Sequence, residues 1–164
     1  MIDADWEQRP RQEAAQGVQL LVAAIVPLPA ELGGANEVLA RAAFGSAKLP
    51  SGPLKQGESV LAAAERILLG TAGARATAER VVYVHESVGR DVTLCVLCEL
   101  WREDDPEPRA GVRFVTPAGT DEVFEPVGVG DLLAEDLRAG FVRPMAYVRV
   151  TRDEFGRERA EPSW

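Results

Sequence analysis

The stretch from Gly45 to Gly73 constrains this chain most: a loop broken by Pro50, Gly52, Pro53 and Gly57 runs straight into a short helix-forming segment. Glycine and proline at that density exclude regular structure before residue 58. Ser59 then supplies an N-cap side chain, and Val60–Leu69 is rich in alanine and leucine, which lose little on becoming helical. Gly70 and Gly73 are expected to stop the helix. Leu61, Ala64, Ile67 and Leu68 recur at i, i+3, i+6 and i+7, so one apolar stripe faces a sheet.

The flanks supply that sheet. Gln19–Pro29 reads as a first strand, Ala30–Asn36 carries turn chemistry, and Glu37–Phe44 is an apolar run expected to pair back as a hairpin. Arg80–Val88 and Asp91–Trp101 form a second hairpin around Gly89-Arg90. Arg102–Gly111 is a solvated loop, Val112–Thr116 and Val123–Val127 are short strands, Val129–Ala139 is a final helix, and Met145–Thr151 adds a last strand. With 164 residues, one core suffices. The expected organisation is a polar lead-in over 1–17, with a short helical stretch at 11–16, one α/β domain over 18–151, and a charged, frayed tail over 152–164.

Composition removes several function classes. The net charge of -8, from 26 acids and 18 bases, repels nucleic-acid backbones and anionic lipid, so general nucleic-acid binding is not expected. A few basic groups can still hold a small anion locally. Only Lys48 and Lys55 among the bases are lysine, a bias read as base composition of the coding sequence and not as a phosphate site. The longest predominantly apolar stretch, Val18–Leu28, spans eleven residues including Gln19 and Pro27, short of the roughly 20 needed to cross a bilayer. The start of the chain is acidic and lacks a signal-peptide pattern, which points to the cytoplasm. Cys95 and Cys98 lie three apart on a strand and therefore point to opposite faces, a poor arrangement for zinc or redox chemistry and a good one for two packed thiols.

Within the central stretch, Gly52, Glu58, Arg66, Leu68 and Gly73 stand at the spacing G-x5-E-x7-R-E-U-x-E-E-x-G-U, where U is bulky and apolar. A Leu-Pro precedes the glycine, Gly57-Glu-Ser59 marks the junction of loop and helix, and Ala63-Ala64 precedes the arginine. The segment Gly52–Ala74 thus resembles the Nudix box, and the resemblance extends over Val18–Phe141. It implies an α/β/α sandwich with a mixed curved sheet between the box helix and the C-terminal helix. It also implies a pyrophosphohydrolase using Mg²⁺, and a homodimer by analogy with family members.

The departures from the pattern matter more. The family's helix acids fall at i, i+3 and i+4, one helix face, where they gather Mg²⁺. Here those positions are Ile67, Gly70 and Thr71, so no metal is expected. Glu65 lies about 200° around the helix from Ile67 and cannot replace it. Gly70 disfavours helix by about 1 kcal/mol against alanine, so the helix is expected to end early. Glu58 and Arg66 have two readings: an ion pair that pins the loop, or a surviving contact to metal.

Glu122 and Glu125 are weak candidates for a relocated catalytic acid, with Glu86 and Glu99 in the same broad region. His85, the only histidine, reads as a packed or rim residue of a strand. If a ligand binds, Gly52, Glu58 and Arg66 are the residues the resemblance places near it. The leading expectation is a catalytically degenerate Nudix-like domain that binds a nucleotide-diphosphate-like ligand or a protein partner without metal-dependent hydrolysis. The alternative is a divergent enzyme of the same fold, with relocated metal ligands or metal-free chemistry in the cleft. A purely structural interaction module is a third class.

Overall fold

The computed structural model describes residues 19–29, 36–89, 91–101, 111–118 and 123–164. The expected lead-in over 1–17, the turn at 30–35, the loop at 102–110 and Glu122 lie outside the described residues. The strands are β1 (Leu20–Ile25), β2 (Val38–Ala43), β3 (Ser46–Lys48), β4 (Ser51–Pro53), β5 (Ala76–Glu86), β6 (Val92–Leu100), β7 (Val112–Val115), β8 (Val123–Glu125), β9 (Ala146–Arg152) and β10 (Glu158–Ser163). Two helices, α1 (Val60–Ala72) and α2 (Val129–Ala139), complete the described fold.

Alternation along the central strands builds a sandwich. In β1, Val22 and Ala24 face α1 while Ala23 and Ile25 face α2; in β6, Val96 and Cys98 face α1 while Cys95 and Leu97 face α2. Both faces of this sheet are apolar because both are covered by a helix. The sheet has six strands in the order β10-β9-β5-β6-β1-β4. It is mixed, since β1 runs parallel to β6 and β5 parallel to β9. Cys95 and Cys98 are free, buried and on opposite faces, as their spacing predicts.

A second sheet, β7-β2-β3-β8, extends the expected architecture. The end of β1 bonds to the start of β2 through Leu39 N–H to Val26 O at 3.0 Å, after which β2 leaves for the second sheet. The expected β1–β2 hairpin is thus only a short bridge at Pro27 and Val38. Residues 45–57 are also less irregular than their glycines and prolines imply, because β3 and β4 form within them. These strands have three residues each: β3 lies between β2 and the distant β8, and β4 is held by the distant β1.

Helix α1 starts where expected, with Ser59 Oγ accepting from Ala62 N–H at 3.1 Å. It does not end at Gly70: it runs to Ala72 and is capped by Gly73 in the left-handed region, φ 66°. A penalty of about 1 kcal/mol for one glycine is smaller than the gain from keeping the last turn docked, where Leu68 and Ala72 are buried.

The segment expected to fray instead contains β10, antiparallel to β9 from Glu158↔Arg152 to Ser163↔Tyr147. The Asp153 carboxylate nucleates the turn by accepting from Phe155 N–H at 2.9 Å and Arg157 N–H at 2.8 Å. Ala160 packs so closely on Gly128, φ 84°, that a Cβ at Gly128 would stand 2.2 Å from the Ala160 Cβ. Beneath this hairpin, buried Asp136 accepts from Tyr83 Oη at 2.5 Å and from Arg143 Nε at 2.6 Å, tying α2 to β5. No helix among the described residues is long and apolar enough to cross a membrane.

Candidate functional site

Strand β4 pairs with β1 at the sheet edge, which places Gly52 opposite Val22 and lays the loop before α1 along the end of the sandwich. In that loop Glu58 is fully engaged. Arg66 Nε donates to Glu58 Oε2 at 2.7 Å and Arg66 Nη2 to Glu58 Oε1 at 2.9 Å, a bidentate pair. The same Nη2 donates to Pro53 O at 2.9 Å, and Lys55 N–H reaches Glu58 Oε1 at 3.3 Å. The Arg66 guanidinium holds the Glu58 carboxyl below the usual carboxylate range, and Glu58 in turn raises Arg66. The pair thus ties the loop before α1 to the helix.

The three helix positions that would carry acids do different work. Ile67 is 4% exposed and packs on Gly52, with its Cγ1 3.4 Å from where a Gly52 Cβ would stand. Gly70 is exposed, and Thr71 turns its Oγ1 back to donate to Ile67 O at 2.7 Å. Among the described residues no three His, Cys, Asp or Glu side chains stand close enough together to hold a metal ion. The residues present do not fit the Mg²⁺ cluster that the box pattern implies.

Two hollows open beside the segment that joins β3 to β4. The larger has a volume of about 330 Å³ and is lined by the apolar Leu21, Ala23 and Leu49, by buried His85, and by the more exposed Asp91 and Glu125. The smaller, of about 80 Å³, lies between Thr71 and the β2–β3 hairpin and is flanked by Arg41 and Lys48. Lys48, Leu49 and Ser51 line both. Arg41 and Lys48 are cross-strand partners, exposed and without an ion pair among the described residues.

His85 sits at the junction of sheet and cavity. Its Nε2 lies 2.8 Å from Val127 O, and since a carbonyl only accepts, Nε2 carries the hydrogen. Burial pushes the imidazolium form down in pKa, so the ring is neutral at pH 7 and Nδ1 remains an acceptor. The lone histidine is packed, as its strand position implies, yet it also lines the cavity.

The other sequence candidates scatter. Glu125 lines the cavity from β8, while Glu86 accepts from the Tyr147 hydroxyl and Glu99 is exposed at the far end of β6. Gly52 and Arg66 shape the loop through backbone pairing and the Glu58 clamp, and neither lines the two hollows. Sequence reasoning passed over Arg41, Lys48 and Asp91. The first two come together through Phe44-Gly45, a two-residue turn with both φ values positive, 46° and 80°, which sets Arg41 opposite Lys48.

This arrangement of a mixed sheet between a box helix and a C-terminal helix is the fold of the Nudix hydrolases. A UDP-X diphosphatase superposes with a TM-score of 0.61 at 14% identity, over 90% of this chain and 75% of that one. An ADP-ribose pyrophosphatase from Streptococcus suis gives 0.59 at 19% identity, over 80% and 97%. A Nudix hydrolase from Nitrosomonas europaea gives 0.55 at 19%, over 77% and 74%. No protein-family model matches the sequence, and no curated protein matches it either. At these identities the likeness is one of fold, and function rests on the site.

Proposed function

We propose that this chain is a Nudix-fold domain that binds a small phosphorylated ligand of the nucleotide-diphosphate type in the cleft beside β4 and does not hydrolyse it by metal catalysis. One observation carries the reading: where the fold's metal face would be, Ile67 is packed into the core on Gly52, Thr71 bonds its own helix, and Glu58 is clamped by Arg66. The cavity supplies a matching chemistry of apolar lining, neutral His85 as an acceptor and Lys48 as a cation. Two free thiols fit a reducing, cytoplasmic setting.

The rival reading, a hydrolase with relocated ligands, draws on Asp91 and Glu125 in the lining of the same cavity. Incubation with ADP-ribose and nucleotide sugars in Mg²⁺ or Mn²⁺, followed by product analysis, separates the two. Binding by calorimetry in EDTA with no turnover is the expected result. Turnover above about 0.1 s⁻¹, against a median near 10 s⁻¹ for enzymes, overturns it.

A further inference from the structure

We infer that Arg41 and Lys48 form a metal-independent anion subsite that takes a phosphoryl or diphosphoryl group where the fold's metal cluster would lie, a conclusion that rests on the proposed ligand class.

The smaller hollow is bounded by Thr71, which occupies the last acid position of the box helix, and by Pro50 and Ser51, which lead into Gly52. The ground that should be carboxylate is therefore bordered by two cations. Their placement is unusual in a chain of net charge -8 with only two lysines, since like charges directly opposite on neighbouring strands repel. Neither cation has an ion-pair partner among the described residues. Glu125 stands in register with Lys48 from β8, but it is exposed and makes no ion pair with it.

An anion between Arg41 and Lys48 converts that repulsion into two charge-assisted contacts, the forked guanidinium on one side and the ammonium on the other. At about 80 Å³ the hollow suits a phosphoryl group and not a nucleoside. Lys48, Leu49 and Ser51 also line the larger cavity of about 330 Å³, so Lys48 is common to both hollows. The protein's own cations thus perform the charge neutralisation that metal performs elsewhere.

The test is calorimetric titration of the whole chain with inorganic pyrophosphate in EDTA, for wild type, Arg41→Gln and Lys48→Gln. Pyrophosphate is expected to bind without metal, to weaken as salt rises, and to weaken by about tenfold or more in each variant. Both residues are exposed, so melting of the ligand-free variants is expected to stay unchanged or rise as the repulsion is relieved.

Absence of pyrophosphate binding in EDTA, binding that appears only with Mg²⁺, or variants that bind like wild type each overturn the subsite. Titration with ADP-ribose separates this inference from the reading beneath it. ADP-ribose binding indifferent to both variants removes the subsite and leaves the proposed function standing. Pyrophosphate binding as expected, with ADP-ribose binding no tighter, keeps the subsite and removes the nucleotide reading.

Discussion

Replacing Ile67 by glutamate puts a carboxyl at the first acid position of the box helix and asks whether that position faces a metal platform or a core. Ile67 is 4% exposed, lies in the cluster with Val22, Ala24, Ala64 and Leu68, and touches the Gly52 backbone. Losing a buried aliphatic side chain costs about 2–5 kcal/mol, the range of Ile→Ala, and an unpaired buried carboxylate adds to it. Against a total stability of about 5–15 kcal/mol, that loss lowers the melting temperature by roughly 4–20 °C. The pH dependence has a definite sign. Burial raises the introduced carboxyl's pKa in the folded state, so the folded state holds more protons than the unfolded one, and stability falls as pH rises above about 4.3. Urea melts of wild type, Ile67→Ala and Ile67→Glu at about pH 5 and about pH 8 measure this, each in EDTA and in millimolar Mg²⁺. The glutamate variant is expected to be the least stable at the higher pH and indifferent to Mg²⁺. Stabilisation by Mg²⁺ of about 1–3 kcal/mol in Ile67→Glu refutes the reasoning, because a metal can reach position 67 only if it is not core.

Four further outcomes follow from the geometry. Burial lowers the His85 pKa, so the unfolded chain gains its proton first as pH falls through about 6.5; stability then declines by up to about 1.4 kcal/mol per pH unit, and urea midpoints of His85→Gln should be flatter over that window. Tyr83→Phe is expected to cost about 1.5–3 kcal/mol and Asp136→Ala about 3–5 kcal/mol, with a double variant well short of the sum, as chemical denaturation will show. Gly128→Ala should unfold at lower temperature because its Cβ meets Ala160, and Ala160→Gly should restore part of the loss while the left-handed φ keeps the remainder. Arg66→Ala and Glu58→Ala should each lower the melting temperature, and strictly additive losses in the double variant count against the clamp.

Local signals were legible where one residue decides the outcome. Ser59 caps α1, Gly73 ends it, Val129–Ala139 is the second helix, and Glu58 meets Arg66 across eight residues. What the sequence hid depends on distant partners. Ser46–Lys48 and Ser51–Pro53 are too short to show alternation; β3 forms between β2 and the distant β8, and β4 forms on β1. Gly70 marks a helix end by propensity, but docking of Ala72 carries the helix past it. The tail over 158–163 is charged and nearly all exposed, and only the Asp153 turn brings it onto β9. In the site, the missing acids were visible as Ile67, Gly70 and Thr71. The cations that border the vacated ground required the register of a hairpin read as loop.

The two thiols on opposite faces of β6 make the protein its own reporter of how it comes apart. Burial pushes both Cys95 and Cys98 up to about 12, so at neutral pH neither offers the thiolate that alkylating reagents need while the sandwich is closed. Cys95 lies on the α2 side and Cys98 on the α1 side, so each is released by the lifting of a different helix. A brief pulse of reagent, read by mass, sorts molecules into those labelled once and those labelled twice. Singly labelled molecules record one helix lifting while the other stays down, whereas only double labelling records a sandwich that opens as one cooperative unit.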